Sequence, residues 1–219
     1  MASSELPSFQ RLLAVFAHPD DESFGFGAVV SALVDRGAHI GALCFTHGEA
    51  SSLGDPTGAT LGEIRATELA SAAGVLGIDH PRLLDYPDGH LNEVPLDELA
   101  GAVRLAGKDA EAFIVFDRDG ITGHGDHCRA TEASLVVASE FGLRVLAWTL
   151  PESVAGRLNA EFGTCFIGRP PGMIDFFITV DRTRQMRAIA CHASQSGDNP
   201  VLWRRLELLG NREHLCWLA

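Results

Sequence analysis

Two short runs in this sequence concentrate side chains that can hold a cation and move a proton. The first is Ala17-His18-Pro19-Asp20-Asp21-Glu22, and the second is Gly123-His124-Gly125-Asp126-His127. His18 and Asp21, three apart in a turn, can converge on one cation, and imidazole with carboxylate suits zinc. Asp20, between them, is held beside the ion without having to bind it. His127 supplies a third ligand, and three protein ligands leave a position for water, as in catalytic rather than structural zinc sites. His124 lies on the same side and can reach the oxygen of a bound carbonyl. Asp126 can orient an imidazole from behind. Taken singly, acids are ordinary in a first helical turn, and a lone His is more often a surface or capping residue. Together the two runs point to metal.

The elements that must position these runs follow from hydrophobic patterning. The apolar stretch 12–17 reads as a buried strand feeding the first run, followed by a helix over 23–35. A second strand is expected at 39–46, ending in His47-Gly48-Glu49, then a Ser/Gly/Pro-rich surface loop over 50–60. Helices are expected at 62–74, 95–105, 127–140 and 182–193, and strands at 82–86, 112–116, 144–149 and 174–180. The segment 151–172 reads as a long irregular loop, and no helix is expected beyond 193. Strands alternating with helices imply βαβ units. The expected fold is therefore a single α/β domain over 1–219, a Rossmann-like three-layer sandwich with a mainly parallel sheet and helices on both faces. Residues 1–10 are expected to form a flexible leader. Right-handed crossovers would place the strand ends, and with them the polar clusters, on one rim.

Composition narrows the function classes. Of 219 residues, 46% are hydrophobic and 21% charged, ordinary values for one soluble domain. The net charge of −12 argues against nucleic acid or an anionic membrane as partner. Lys108 is the only lysine, which makes Schiff-base chemistry improbable. Cys44, Cys128, Cys165, Cys191 and Cys216 are scattered and never form CxxC, as expected of reduced thiols in a cytoplasmic protein. No signal peptide and no membrane span are expected.

Further motifs extend the pattern: Gly48-Glu49, Arg65 and Glu68 within GEIRATE, Pro87-Asp88-Gly89, and His192-Ala193-Ser194-Gln195. With AHPDDE at 17–22 and HxDH at 124–127, the sequence resembles the LmbE-like, or GlcNAc-PI de-N-acetylase (PIG-L), superfamily of zinc-dependent deacetylases. The resemblance implies metal ligands His18, Asp21 and His127, Asp20 as general base, and His124 as the group stabilising the transition state. It implies hydrolysis of an N-acyl, typically N-acetyl, group from a small amino sugar or glycoside. Zn2+ is the implied cofactor, and Fe2+ or Co2+ would also suit the ligands. Homo-oligomerisation is compatible with this reading.

Glu49, Arg65, Asp88 and His192 are candidates for substrate binding, the last three each with a plain alternative. Arg65 and Glu68 also fit an i,i+3 pair on a helix, Asp88 fits turn chemistry, and His192 fits a helix end. Gly125 stands where many relatives carry Pro, leaving His124 more backbone freedom. A dinucleotide fold is excluded by the carboxylates that fill the first turn. A serine hydrolase is excluded by the lack of a GxSxG elbow. An amidase tailoring a natural product or thiol conjugate, and a catalytically silent metal-dependent binder, remain as alternatives.

Overall fold

Successive residues of the central strands bury opposite faces, and that alternation builds the domain. The computed structural model describes residues 2–53 and 57–219. Its strands are β1 (Arg11–Phe16), β2 (His39–Thr46), β3 (Ile78–Tyr86), β4 (Ala112–Phe116), β5 (Arg144–Thr149), β6 (Phe176–Thr179) and β7 (Arg212–Trp217). They form one sheet in the order β3-β2-β1-β4-β5-β7-β6. The first five strands run parallel, and β7 is antiparallel to both β5 and β6.

The helices are α1 (Asp21–Phe24), α2 (Gly27–Asp35), α3 (Ala59–Leu76), α4 (Leu96–Ala106), α5 (Gly125–Phe141), α6 (Glu152–Phe162), α7 (Thr183–Cys191), α8 (Ala193–Ser196) and α9 (Pro200–Leu209). Leu12, Ala14 and Phe16 of β1 pack with α2 and α3 residues such as Val29, Leu33, Leu69 and Leu76. Leu13 and Val15 face the other way, onto Leu99 and Val103 of α4 and Ala133 and Val137 of α5. The three-layer α/β expectation is thus met.

The site depends on one feature of strand order. Chain direction across the sheet reverses between β1 and β4, which lie side by side with Leu12 opposite Ala112 and Ala14 opposite Ile114. Both His/Asp runs leave the carboxyl ends of these two strands. They therefore meet at the crevice where open α/β sheets place ligands.

Several expected boundaries change. The helix expected at 23–35 is two segments, α1 ending at Phe24 and α2 starting at Gly27, and between them Gly25 packs so closely that a Cβ there would stand 2.3 Å from Cε1 of the Phe116 ring. Strand β3 starts at Ile78 rather than 82 and carries Pro81. It is an edge strand with shifted register, where a missing N–H is tolerated. Segment 151–172 is not wholly irregular, since α6 occupies Glu152–Phe162. After residue 193 the chain forms α8 and α9, then β7, which inserts between β5 and β6. In the loop expected over 50–60, residues 54–56 lie outside the described residues. Near the N-terminus, Ser3 forms a bridge to Phe176 and Leu6 is buried.

One ion pair ties segment 163–172 to the sheet. Arg169 donates Nε–H and Nη2–H to Asp117 Oδ2 and Oδ1 at 2.5 and 2.6 Å, and Thr149 Oγ1–H donates to Oδ2 at 2.7 Å. Burial opposes ionisation of Asp117, but Arg169 and Thr149 outweigh it and hold the pKa below the ordinary value. A depressed folded-state pKa makes this contribution full above the unfolded value of about 3.9 and lost as pH falls. Asp117→Asn is expected to cost about 2–3 kcal/mol, less than a deeply buried pair, because Arg169 remains partly solvated. Urea midpoints of both proteins at several pH values check this, and the gap should narrow below about pH 4. A gap independent of pH would refute the assignment.

Candidate metal centre and active site

One ligand atom each from His18, Asp21 and His127 lies within 4.8 Å of the other two, and both Asp21 oxygens face the imidazoles. His18 Nδ1 lies 3.1 Å from His127 Nε2, His127 Nε2 lies 3.2 Å from Asp21 Oδ1, and His18 Nδ1 lies 3.7 Å from Asp21 Oδ2. Ligands about 2.0–2.1 Å from a tetrahedral ion stand about 3.3 Å apart. The spacing therefore fits a zinc-sized cation, and all three residues are buried.

The outer edge of each imidazole is also anchored. His18 Nε2 faces Asp88 Oδ1 at 2.9 Å and Asp126 Oδ2 at 3.4 Å. His127 Nδ1 lies 3.1 Å from both Gly120 O and Thr122 Oγ1. Donation of the outer N–H to these acceptors leaves the inner nitrogen of each ring free to coordinate, the usual arrangement around metal-binding His. The imidazole that Asp126 orients is thus His18. Asp126 also accepts N–H bonds from Gly89 and Leu91, fixing the 87–91 turn.

The electrostatics match a cation site. Burial disfavours a charged His18, yet Asp126, Asp88 and Asp21 raise its pKa to about 10. Burial alone would raise the Asp21 pKa, but His127 and His18 hold it well below the carboxylate range. The metal-free centre thus carries an ionised carboxylate and a protonated imidazole, and a bound dication would displace that proton.

Asp20 stands beside this triad in an unusual backbone conformation, with φ 108° and ψ −26°. Such strain costs about 1–3 kcal/mol and needs surrounding support. Glu22 Oε2 accepts the Asp20 N–H at 3.0 Å, and Asp20 O accepts from Ser23 and Phe24 N–H at 3.0 and 2.7 Å. Glu22 is in turn held by His192 Nε2 at 2.6 Å, and both side chains are fully buried. His192 is therefore placed beneath the loop rather than at the rim.

Arg65 clamps the Asp20 side chain. Its Nη2 donates to Asp20 Oδ2 at 3.0 Å and to Pro19 O at 2.5 Å, and its Nη1 donates to Gly48 O at 2.6 Å. Gly48 has φ +67°, and a Cβ there would fall 2.3 Å from Arg65 Cζ. Burial raises the Asp20 pKa to about 6, with Arg65 opposing the rise. Glu49 Oε1 accepts the Asp88 N–H at 3.1 Å, so its carboxylate braces that turn. Glu68 accepts from the N–H and hydroxyl of Ser194 instead of pairing with Arg65.

His124 caps α5, with Nδ1 accepting the Asp126 N–H at 3.3 Å. Its proton then sits on Nε2, assigned from this network. Burial, then the His18 and His127 charges, lower its pKa, which favours a neutral donor. A cavity of about 380 Å³ opens over these groups, lined by His18, Asp20, Asp21, Arg65, His124 and His127. Trp148, Phe166 and Arg205 line it as well.

The profile of the family described as PIG-L, GlcNAc-PI de-N-acetylase, matches residues 13–138, more than half of the chain and both His/Asp runs. The chain belongs to the PIG-L family. It is 30% identical over 181 residues to the 1D-myo-inositol 2-acetamido-2-deoxy-alpha-D-glucopyranoside deacetylase of Kineococcus radiotolerans, which covers 67% of this chain and 50% of that protein. The chain spans about half the length of the curated relatives it first matches. Among solved structures, the zinc-inhibited form of teicoplanin deacetylase Orf2 superposes with a TM-score of 0.69 at 19% identity, covering 95% of this chain and 97% of that one. GalB, the 4-carboxy-2-hydroxymuconate hydratase of Pseudomonas putida KT2440, superposes with a TM-score of 0.67 at 18% identity, covering 96% of each chain. Both structures share the fold with this family member.

The sequence reading had no role for Thr122, for the Glu22–His192 pair or for Arg205. Thr122 and Gly120 lie in a glycine-rich connection with no periodic pattern. Arg205 did carry a signal: positions 202, 205, 206 and 209 form the buried stripe of α9, which Arg204 does not join.

Proposed function

We propose that this protein is a zinc-dependent N-deacetylase that removes an acetyl group from an N-acetylated amino sugar or amino-sugar conjugate. One observation carries the reading: two imidazoles and a carboxylate, from His18, His127 and Asp21, converge beside the largely buried carboxylate of Asp20, whose backbone is strained, at the floor of a cavity. The fold alone does not select the reaction, since the same architecture carries a hydratase. The family match and the deacetylase relative favour amide hydrolysis.

His18, Asp21 and His127 would hold the ion, with Fe2+ and Co2+ as substitutes that an N2O donor set accepts. When bound, the ion supplies Lewis acidity that brings ionisation of a water towards neutral pH. Asp20 takes a proton from the attacking water and returns it to the leaving amine, which suits a carboxylate whose pKa is lifted towards the working pH. Arg65 keeps that carboxylate aimed. His124 donates Nε2–H to the carbonyl oxygen as charge develops there, and one such donor is commonly worth about 3–4 kcal/mol. Asp88 and Asp126 hold His18 in the coordinating tautomer.

All five cysteines are free thiols. No helix among the described residues is long and apolar enough to cross a membrane. The test is a panel of N-acetylglucosamine glycosides and conjugates incubated with metal-loaded protein, with released amine and acetate measured. Acetate release that depends on Asp20 supports the proposal. Failure to release acetate from any member would favour the silent-binder alternative.

A further inference from the structure

Arg205 projects from the buried stripe of α9 into the same cavity and is only 7% exposed. Its Nη2 donates to Phe24 O at 2.7 Å, and its guanidinium stands 5.1 Å from the centre of the Trp148 ring. No other hydrogen bond holds it among the described residues, and its buried Nε–H has no partner. Among the described residues no ion pair reaches it either. The neighbouring cations are all matched: Arg65 with Asp20, Arg169 with Asp117, and Arg182 with Glu213. Glu213 is already occupied, because its other oxygen accepts the Trp148 Nε1–H at 2.7 Å.

A buried cation without a counter-ion is costly in the folded chain. The chain does not lack acids, since it has 29 of them against 17 lysines and arginines. Burial lowers the Arg205 pKa to about 10, so the group stays charged at neutral pH. The cavity wall nearby is apolar, formed by Phe24, Phe166, Trp148 and Leu202. Such a wall strengthens a charge pair that forms inside it. Phe24, which Arg205 holds, is one helical turn beyond Asp21, about 4.5 Å along the axis. The guanidinium and the His18–Asp21–His127 centre line the same cavity.

We propose that Arg205 is a specificity-determining residue that binds a carboxylate or phosphate carried by the substrate, so that the preferred N-acetylated amino sugar is an anionic one. The reaction named here rests on the deacetylase reading, whereas the anion site stands on its own geometry.

The experiment compares N-acetylglucosamine with its 6-phosphate and with its 3-O-lactyl ether, which carries a carboxylate. Metal-loaded wild type, Arg205→Gln and Arg205→Lys are assayed for amine release. The readout is the ratio of kcat/KM for each anionic sugar to that for the neutral one. Wild type is expected to favour at least one anionic sugar. Arg205→Gln lowers that ratio by about 10–100-fold, the range of a hydrogen bond to a charged group, and Arg205→Lys restores part of it. The arm that responds identifies carboxylate or phosphate. A ratio unchanged by Arg205→Gln, or no anionic preference in wild type, overturns the proposal and leaves Arg205 as a packing residue.

Calorimetric titration of the same sugars into wild type and Arg205→Gln separates the two readings. If no sugar releases amine, the deacetylase reading fails. Anion binding that weakens at least 10-fold in Arg205→Gln would still support this site, and equal binding would overturn it.

Discussion

Asp20→Asn is expected to lower turnover by about 10²–10⁴-fold while leaving the metal content of the purified protein unchanged. The amide keeps the shape of the carboxylate and can remain against Arg65, but it cannot accept a proton from water. Asn also tolerates positive φ better than most residues, so the strained backbone at 20 survives the change. Turnover with an N-acetylated amino sugar and metal by elemental analysis are measured together. Full activity in this variant would remove Asp20 as the base, and a loss of metal would mean that it supports the centre instead. The same residue sets a pH limb. Asp20 must be ionised to act, its carboxyl is pushed up to about 6, and a bound dication pulls it back down. Activity is therefore expected to rise with pH and to level off at or below about pH 6. A limb well above that would implicate another group.

The second large effect belongs to His127. His127→Ala removes one of the three proposed ligands and leaves Asp21 without its 3.2 Å partner. Metal content is expected to fall at least 10-fold, and activity to vanish with it. In wild type, a chelator should abolish turnover and added zinc ion should restore it. Metal retained at the wild-type level in the variant would refute the ligand assignment, and turnover that survived chelation would rule out the metal-assisted reading.

The candidate ligands were visible in the sequence because each half is local. His18 and Asp21 lie in one turn, and His124, Asp126 and His127 lie at one helix start. The strands were visible for a similar reason: four to eight apolar residues in a row leave little choice for a parallel sheet buried on both faces. The C-terminal third was harder to read. Strand β7, Arg212–Trp217, mixes Arg, Glu and His with apolar residues, and its burial comes from insertion between β5 and β6. Its Glu213 is buried only because Trp148 and Arg182 meet it there.

The local sequence therefore determined which side chains could bind a cation, and its periodicities determined that strands and helices alternate around them. Tertiary structure alone decided how those side chains are used. The strand order that sets β1 beside β4 joins two runs 109 positions apart. Packing commits Asp126 to His18, Arg65 to Asp20 and His192 to Glu22, and leaves Arg205 unmatched in the cavity. The physical reason is separation along the chain. Each of these pairings links groups dozens of residues apart or more, and whether a charge finds a partner there is an outcome of packing that no local pattern encodes.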